Sequence, residues 1–322
     1  MNGSLFEKLH TDGWISDRSF SKIKAEVGIF SIHRELKMLL YLGIVLLTTG
    51  LGILVYKNID SIGHTAILLL LAIISSACLY YCFRNSPGYA PKRINSSASF
   101  GYILLLGCLS MLIFVAYLQF QFHIFGEHYG LATFFPMLFL MASAYYFDHI
   151  GVLSLGISNF AAWAGISITP LHLLENDFAT TRIIYTGIAL GLLLILAGES
   201  SQRKNVKAHF AFTYINFGFH LLLVSLLAAL FTLSWNLLWF CLTATACFYF
   251  YRKAQMERSF YFLLLSVIYG YIALSYVVLN NLVFMSADVM MIGLLYLIFS
   301  GIGTAVVLIR ANKKLKSDDR VS

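Results

Sequence analysis

Asn216 and His220 stand four residues apart in an otherwise apolar stretch, so on a helix they share one face. An amide or imidazole at membrane depth costs free energy unless it is paired or faces a cavity, which makes such residues candidates for function. Asn159, with Ser158 beside it, lies at similar depth in another apolar run. If the two runs pack together, Asn159, Asn216 and His220 line one polar pocket or a proton relay. The competing reading is interhelical hydrogen bonding that only fixes packing, worth about 0.6 kcal/mol per pair. Neutral imidazole donates at one nitrogen and accepts at the other. His220 can therefore bridge either asparagine without carrying charge into the membrane.

A second group of ionisable residues falls in connections expected on the outer face: His123, Glu127, His128, His172, Glu175 and Asp177, with His64 nearby. Imidazole and carboxylate suit zinc, nickel or copper. Their spacing matches no recognised metal motif, and histidines are common at membrane interfaces, so the metal question stays open. The opposite side offers Asp148-His149 and Glu199. Gly187 and Gly191 form a GxxxG pattern that reads first as close helix packing. No HExxH, GxSxG, P-loop or dinucleotide fingerprint is present. The five cysteines, Cys78, Cys82, Cys108, Cys241 and Cys247, all sit inside apolar runs and read as small packing residues. No catalytic residue and no cofactor is expected.

The elements that must position these residues are membrane helices. Hydrophobic residues make up 59% of the chain and charged ones 11%, which excludes a soluble globular class. Residues 37–56 form a run without internal charge, long enough at about 1.5 Å per residue to cross a hydrocarbon core of about 30 Å. It is also too long for the apolar core of a cleavable signal. Ten spans are expected: 37–56, 65–83, 99–118, 130–147, 151–168, 182–197, 208–230, 235–250, 259–279 and 288–310. Of 22 lysines and arginines, all but Lys57 and Arg182 fall on one side of this pattern. The positive-inside rule then puts both termini in the cytoplasm. The net charge of +7 is spread over short loops and forms no single face, so nucleic acid is not an expected partner. The expected organisation is a cytoplasmic arm over 1–35, a ten-helix transmembrane domain over 36–311 and a basic tail over 312–322. In the arm, Thr11-Asp12-Gly13 supplies a turn between two short helices, the second capped by Ser16.

Three turns expected on the inner side repeat a pattern of small residues followed by aromatics. Ser75-Ser76-Ala77-Cys78-Leu79-Tyr80-Tyr81 precedes Arg84, and Met141-Ala142-Ser143-Ala144-Tyr145-Tyr146-Phe147 precedes Asp148. Thr243-Ala244-Thr245-Ala246-Cys247-Phe248-Tyr249 precedes Arg252. Spans two–three, four–five and eight–nine thus read as echoes of one hairpin, although any membrane helix tends to end in aromatics.

Three stretches carry a resemblance. They are the arm around LHTDGWIS, the glycine-rich YLGIVLLTTGLGILVYKNID, and AYLQFQFHIFG followed by FFPMLFLMASAYYFDHIGVLSLGISNFAAWAGI. Over roughly residues 1–170 the chain resembles the domain-of-unknown-function family 2157, predicted bacterial membrane proteins. The resemblance implies a multi-span membrane body and supplies no reaction and no catalytic residues.

The resulting expectation is an all-α, polytopic protein integral to a bacterial inner (plasma) membrane, with the lipid bilayer as its surroundings. Its function is expected to be that of a transporter or channel-like protein for a small solute, centred on Asn159, Asn216 and His220. The alternative is a non-catalytic sensor or assembly subunit that contacts a protein partner through the arm. A membrane enzyme acting on lipid or envelope precursors is the weakest reading, because no acid/base pair is evident.

Overall fold

The computed structural model of the chain describes residues 10, 15–16, 33–57, 63–86, 88–90, 97–168, 181–282 and 288–318. The arm expected over 1–35 lies outside the described residues, apart from 10, 15–16 and the start of the first helix. Among the described residues the chain forms α-helices joined by turns, with no strand. In order these are α1 (His33–Lys57), α2 (His64–Asn85), α3 (Ala98–Phe122), α4 (Tyr129–Phe147) and α5 (Ile150–Ile168). There follow α6 (Thr181–Lys204), a single 3-10 turn (Ala208–Phe210), α7 (Ala211–Thr232), α8 (Asn236–Met256), α9 (Phe260–Leu282) and α10 (Asp288–Asp318).

Among the described residues, eight of these helices are long and apolar enough to cross a membrane. In hydrocarbon the backbone must satisfy its own hydrogen bonds, which is why apolar runs of this length fold as helices. The chain is a polytopic helical membrane protein. Among the described side chains of α1 the apolar stretch is Met38–Leu54, and in the sequence it continues without charge through Val55 and Tyr56. α8 falls short because Arg252, Lys253 and Gln255 occupy its last turns.

The chain divides into two compact units, residues 1–84 with 96–113, and residues 85–95 with 114–322. In the first, α2 packs on α3. Ser75 Oγ donates to the Gly107 carbonyl at 3.0 Å, and a Cβ added at Gly107 would lie 2.9 Å from Cys78 Cβ.

In the second unit the hairpins α4–α5, α6–α7 and α8–α9 each pack along their length, and α7 also touches α5, α8 and α9. α7 is the centre of this unit. Phe219, Leu223 and Leu230 from α7 meet Phe250 of α8 and Phe262 of α9 in one buried core. The α6–α7 contact is backbone against backbone. A Cβ added at Gly191 would stand 2.7 Å from the Leu222 nitrogen, and one at Gly218 would stand 2.8 Å from the Gly191 carbonyl oxygen. The GxxxG pair of α6 therefore has its counterpart in Gly218, and the small residues sit where the helices touch.

The small-residue patches noted in the sequence share a structural feature. Each faces a glycine on the following helix: Cys78 meets Gly107, Met141 meets Gly156, and Cys247 meets Gly270.

Candidate functional site

α7 presents Asn216 and His220 to α9, where two tyrosines receive them. Tyr261 O–H donates to Asn216 Oδ1 at 2.7 Å. With that hydrogen committed, the 3.1 Å contact between Tyr261 and His220 Nε2 needs the imidazole to donate. His220 Nδ1 is then the acceptor for Tyr269 O–H at 2.9 Å. The direction of every bond in this four-residue chain follows from the carbonyl-type oxygen at its end, and both ring nitrogens of His220 are used. As a proton path the chain stops at Asn216, because an amide oxygen is a very weak base. As a lock between α7 and α9 it is complete.

A lock of this kind has a modest effect. A double-mutant cycle of His220→Ala and Tyr269→Phe, measured by unfolding in detergent, is expected to give a coupling of about 0.6 kcal/mol, the usual worth of an interhelical hydrogen bond in a membrane protein. A coupling above about 2 kcal/mol, or one that changes with pH, would point to a charged imidazole and a functional site.

Asn159 is placed elsewhere. Its Nδ2 donates to the Thr133 carbonyl at 2.9 Å, tying α5 to α4 within their own hairpin. The structure brings Asn216 and His220 together around Tyr261 and puts Asn159 in a different helix pair. Of the ionisable residues expected on the outer face, His123, Glu127 and His128 lie in the exposed turn between α3 and α4. That turn is organised by Gln119, whose Nε2 donates to the Gly126 carbonyl at 2.8 Å and whose Oε1 accepts from the Phe125 N–H at 3.0 Å. His172, Glu175 and Asp177 lie outside the described residues. Among the described residues no group of three or more His, Cys, Asp or Glu side chains is placed to hold a metal ion.

Two ionic clusters form around Asp148 and Glu199, which the sequence offers only as separate charged residues of the inner side. Asp148 caps α4 in a left-handed conformation with φ 58° and its N–H on the Ala144 carbonyl. Aspartate tolerates that region better than most residues. Its Oδ1 takes Lys207 Nζ at 2.6 Å and His209 Nε2 at 2.8 Å. The Lys207 and Asp148 side chains are 0% and 1% exposed, and the ammonium also lies 5.3 Å from the centre of the Tyr89 ring. This ion pair joins the α4–α5 turn to the α6–α7 turn. The second cluster links α6 to α8. Lys253 Nζ pairs with Glu199 Oε1 and, at 3.0 Å, with Glu257 Oε1, while Tyr249 O–H donates to Glu199 at 3.3 Å.

α6 and α8 straddle α7 and leave a groove of about 650 Å³, with Glu199 of the second cluster at one end. Its floor is Leu222 and Leu226 of α7, both buried. Its walls are Leu192 and Leu196 of α6 and Leu242 and Ala246 of α8. Tyr185 and Trp239, with ring centres 6.0 Å apart, approach across one end. At the other end stand Glu199, Ser200, Arg203 and Tyr249. The groove is apolar for most of its length and polar where α6 runs out. No single sequence pattern announces it, since its residues come from three helices and its shape depends on how they splay.

Residues 7–153 match the model of the family described as "Predicted membrane protein (DUF2157)". This is the family that the arm and the first spans resemble. Neither among curated proteins nor among solved structures does any match this chain. The match ends at residue 153, so the groove and the α7–α9 chain both lie beyond it.

Proposed function

We propose that this membrane protein is a non-catalytic binding protein that takes one lipid-like molecule from the bilayer into the groove between α6 and α8, and that it acts as a sensor or assembly subunit. The observation that carries this reading is the groove itself: about 650 Å³, apolar-walled, and bounded at one end by a cluster of polar groups. That volume lies in the range of small-molecule sites, and apolar walls with a few convergent polar groups are their usual character. Transport of a small solute along the α7–α9 chain is less well supported, because every polar atom of His220 already has a partner. The concentration of basic residues at the Arg203 end supports placing that end at the cytoplasmic face of the plasma membrane.

The test is lipid retention. Purified in mild detergent and weighed by native mass spectrometry, the wild-type chain should keep about one lipid per protein. Ala246→Trp, which puts an indole into the groove, should lose that lipid while keeping the wild-type unfolding temperature within a few degrees. Leu192→Trp fills the same space from the opposite wall and should do the same. Equal retention by the wild type and both variants, or none by the wild type, would defeat the proposal.

A further inference from the structure

The groove has a length, a depth and a charged end, and together these select a ligand class. From Ile188 to Arg203 it follows α6 for fifteen residues, a rise of about 22 Å. Half of a bilayer, with its headgroup zone, is also about 20–22 Å. The groove's apolar part along α6, from Ile188 to Leu196, rises about 12 Å, most of the ~15 Å depth of one leaflet's chains. The polar end coincides with the last turns of α6, where its apolar run gives way to Glu199, Ser200 and Arg203, just before the turn that carries Lys207.

The charges at that end are not equivalent. Glu199 is met by Lys253 and by the Tyr249 hydroxyl, and Glu257 shares the same ammonium. Arg203 also lines the groove and is exposed, but among the described residues no carboxylate pairs with it. Ser200 lies beside it on the groove wall. A guanidinium presents a planar fork of N–H donors that fits two phosphate oxygens at once. A guanidinium with no carboxylate partner among the described residues, at the polar end of an apolar groove of this length, is complementary to a phosphate carrying an acyl chain.

We infer that the occupant is a glycerophospholipid, with one acyl chain along the groove and its phosphate on Arg203. This rests on the groove being a ligand site, and goes further by naming the lipid class and the residue that reads it. The phosphate, not the net charge of the lipid, is the recognised feature. Phosphatidylglycerol and phosphatidylethanolamine both carry it, and diacylglycerol with the same chains does not.

The experiment titrates delipidated wild-type protein with each of these three dioleoyl lipids and reads occupancy by native mass spectrometry. Both phospholipids should bind about tenfold or more tightly than diacylglycerol, the scale of one charge-assisted hydrogen-bonded contact. Arg203→Gln should bring both phospholipids down to the diacylglycerol level and leave diacylglycerol unchanged. Arg203→Lys, which keeps the charge and loses the fork, should fall between the two. Equal binding of all three lipids to the wild type overturns the phosphate assignment while leaving the groove as a lipid site. A preference for phosphatidylglycerol alone also overturns it, since net charge would then be the feature read. Binding of none of the three removes the groove reading as well. Photo-crosslinking from a diazirine amino acid at Leu192 completes the set: a crosslink to added phospholipid supports the inference, and a crosslink only to protein, from this chain or a second copy, overturns it.

Discussion

Gly218→Val is expected to unfold the α6–α7 pair. The reason is the class of atom that a side chain would meet there. A Cβ at residue 218 would stand 2.8 Å from the Gly191 carbonyl oxygen and 2.9 Å from the Ile195 nitrogen. Neither can rotate aside as a flexible side chain could, so the two helices must separate. Overpacking a core costs about 1–3 kcal/mol even where side chains can adjust, and here the adjustment is a whole helix. α7 is also the helix on which α5, α8 and α9 rest, so the loss spreads through the second unit. A destabilisation of about 3 kcal/mol or more follows, read as a large drop in unfolding temperature in detergent and low recovery of folded protein. Gly191→Val, which would drive a Cβ to 2.7 Å from the Leu222 nitrogen, should behave alike. The control is Gly50→Ala on α1, where a Cβ meets nothing within 4 Å, and it should leave stability unchanged or slightly raised.

Removing one partner of the Asp148–Lys207 pair is expected to have an effect of similar size. Both side chains are fully buried, and breaking a buried ion pair from one side typically costs about 3–5 kcal/mol because the remaining charge is left uncompensated. Lys207→Met leaves Asp148 with His209 as a poorer substitute and should fall in that range. Asp148→Asn keeps the left-handed backbone that the α4 cap requires, since asparagine also tolerates positive φ. Its damage therefore measures the charge and not the turn. The double variant Asp148→Asn, Lys207→Met should recover much of the loss, because no unpaired charge remains. The measurement is chemical or thermal unfolding of all three variants. Additive losses in the double variant would mean that the two residues act separately, against the geometry.

The class of protein was legible because hydrocarbon imposes it: long uncharged runs in membrane have no option but the helix. The close contact at Gly187 and Gly191 was legible for the same reason, since small residues four apart on an apolar helix have few other uses. Asn216 and His220 were legible as neighbours because helical periodicity is local. Their partners were not. Tyr261 and Tyr269 lie 45 and 49 residues further on in the hydrogen-bonded pairs they form, and only the packing of α7 against α9 selects them from nineteen tyrosines. Asn159 shows the limit of reasoning from depth alone, because a polar residue at matching depth need not lie in the matching helix pair. The Asp148–Lys207 pair joins two turns 59 residues apart, each of which reads in isolation as an ordinary charged loop. The groove was least legible, since it is a space between helices.

The central claim is that the α6–α8 groove holds a phospholipid, and the most direct measurement is a density map of the wild-type protein in lipid nanodiscs. The account predicts a continuous tube of non-protein density along Leu192, Leu196, Leu242 and Ala246, ending in a stronger feature at the Arg203 guanidinium. A groove filled by protein side chains or by another helix, or closed by α6 lying directly on α8, would contradict it.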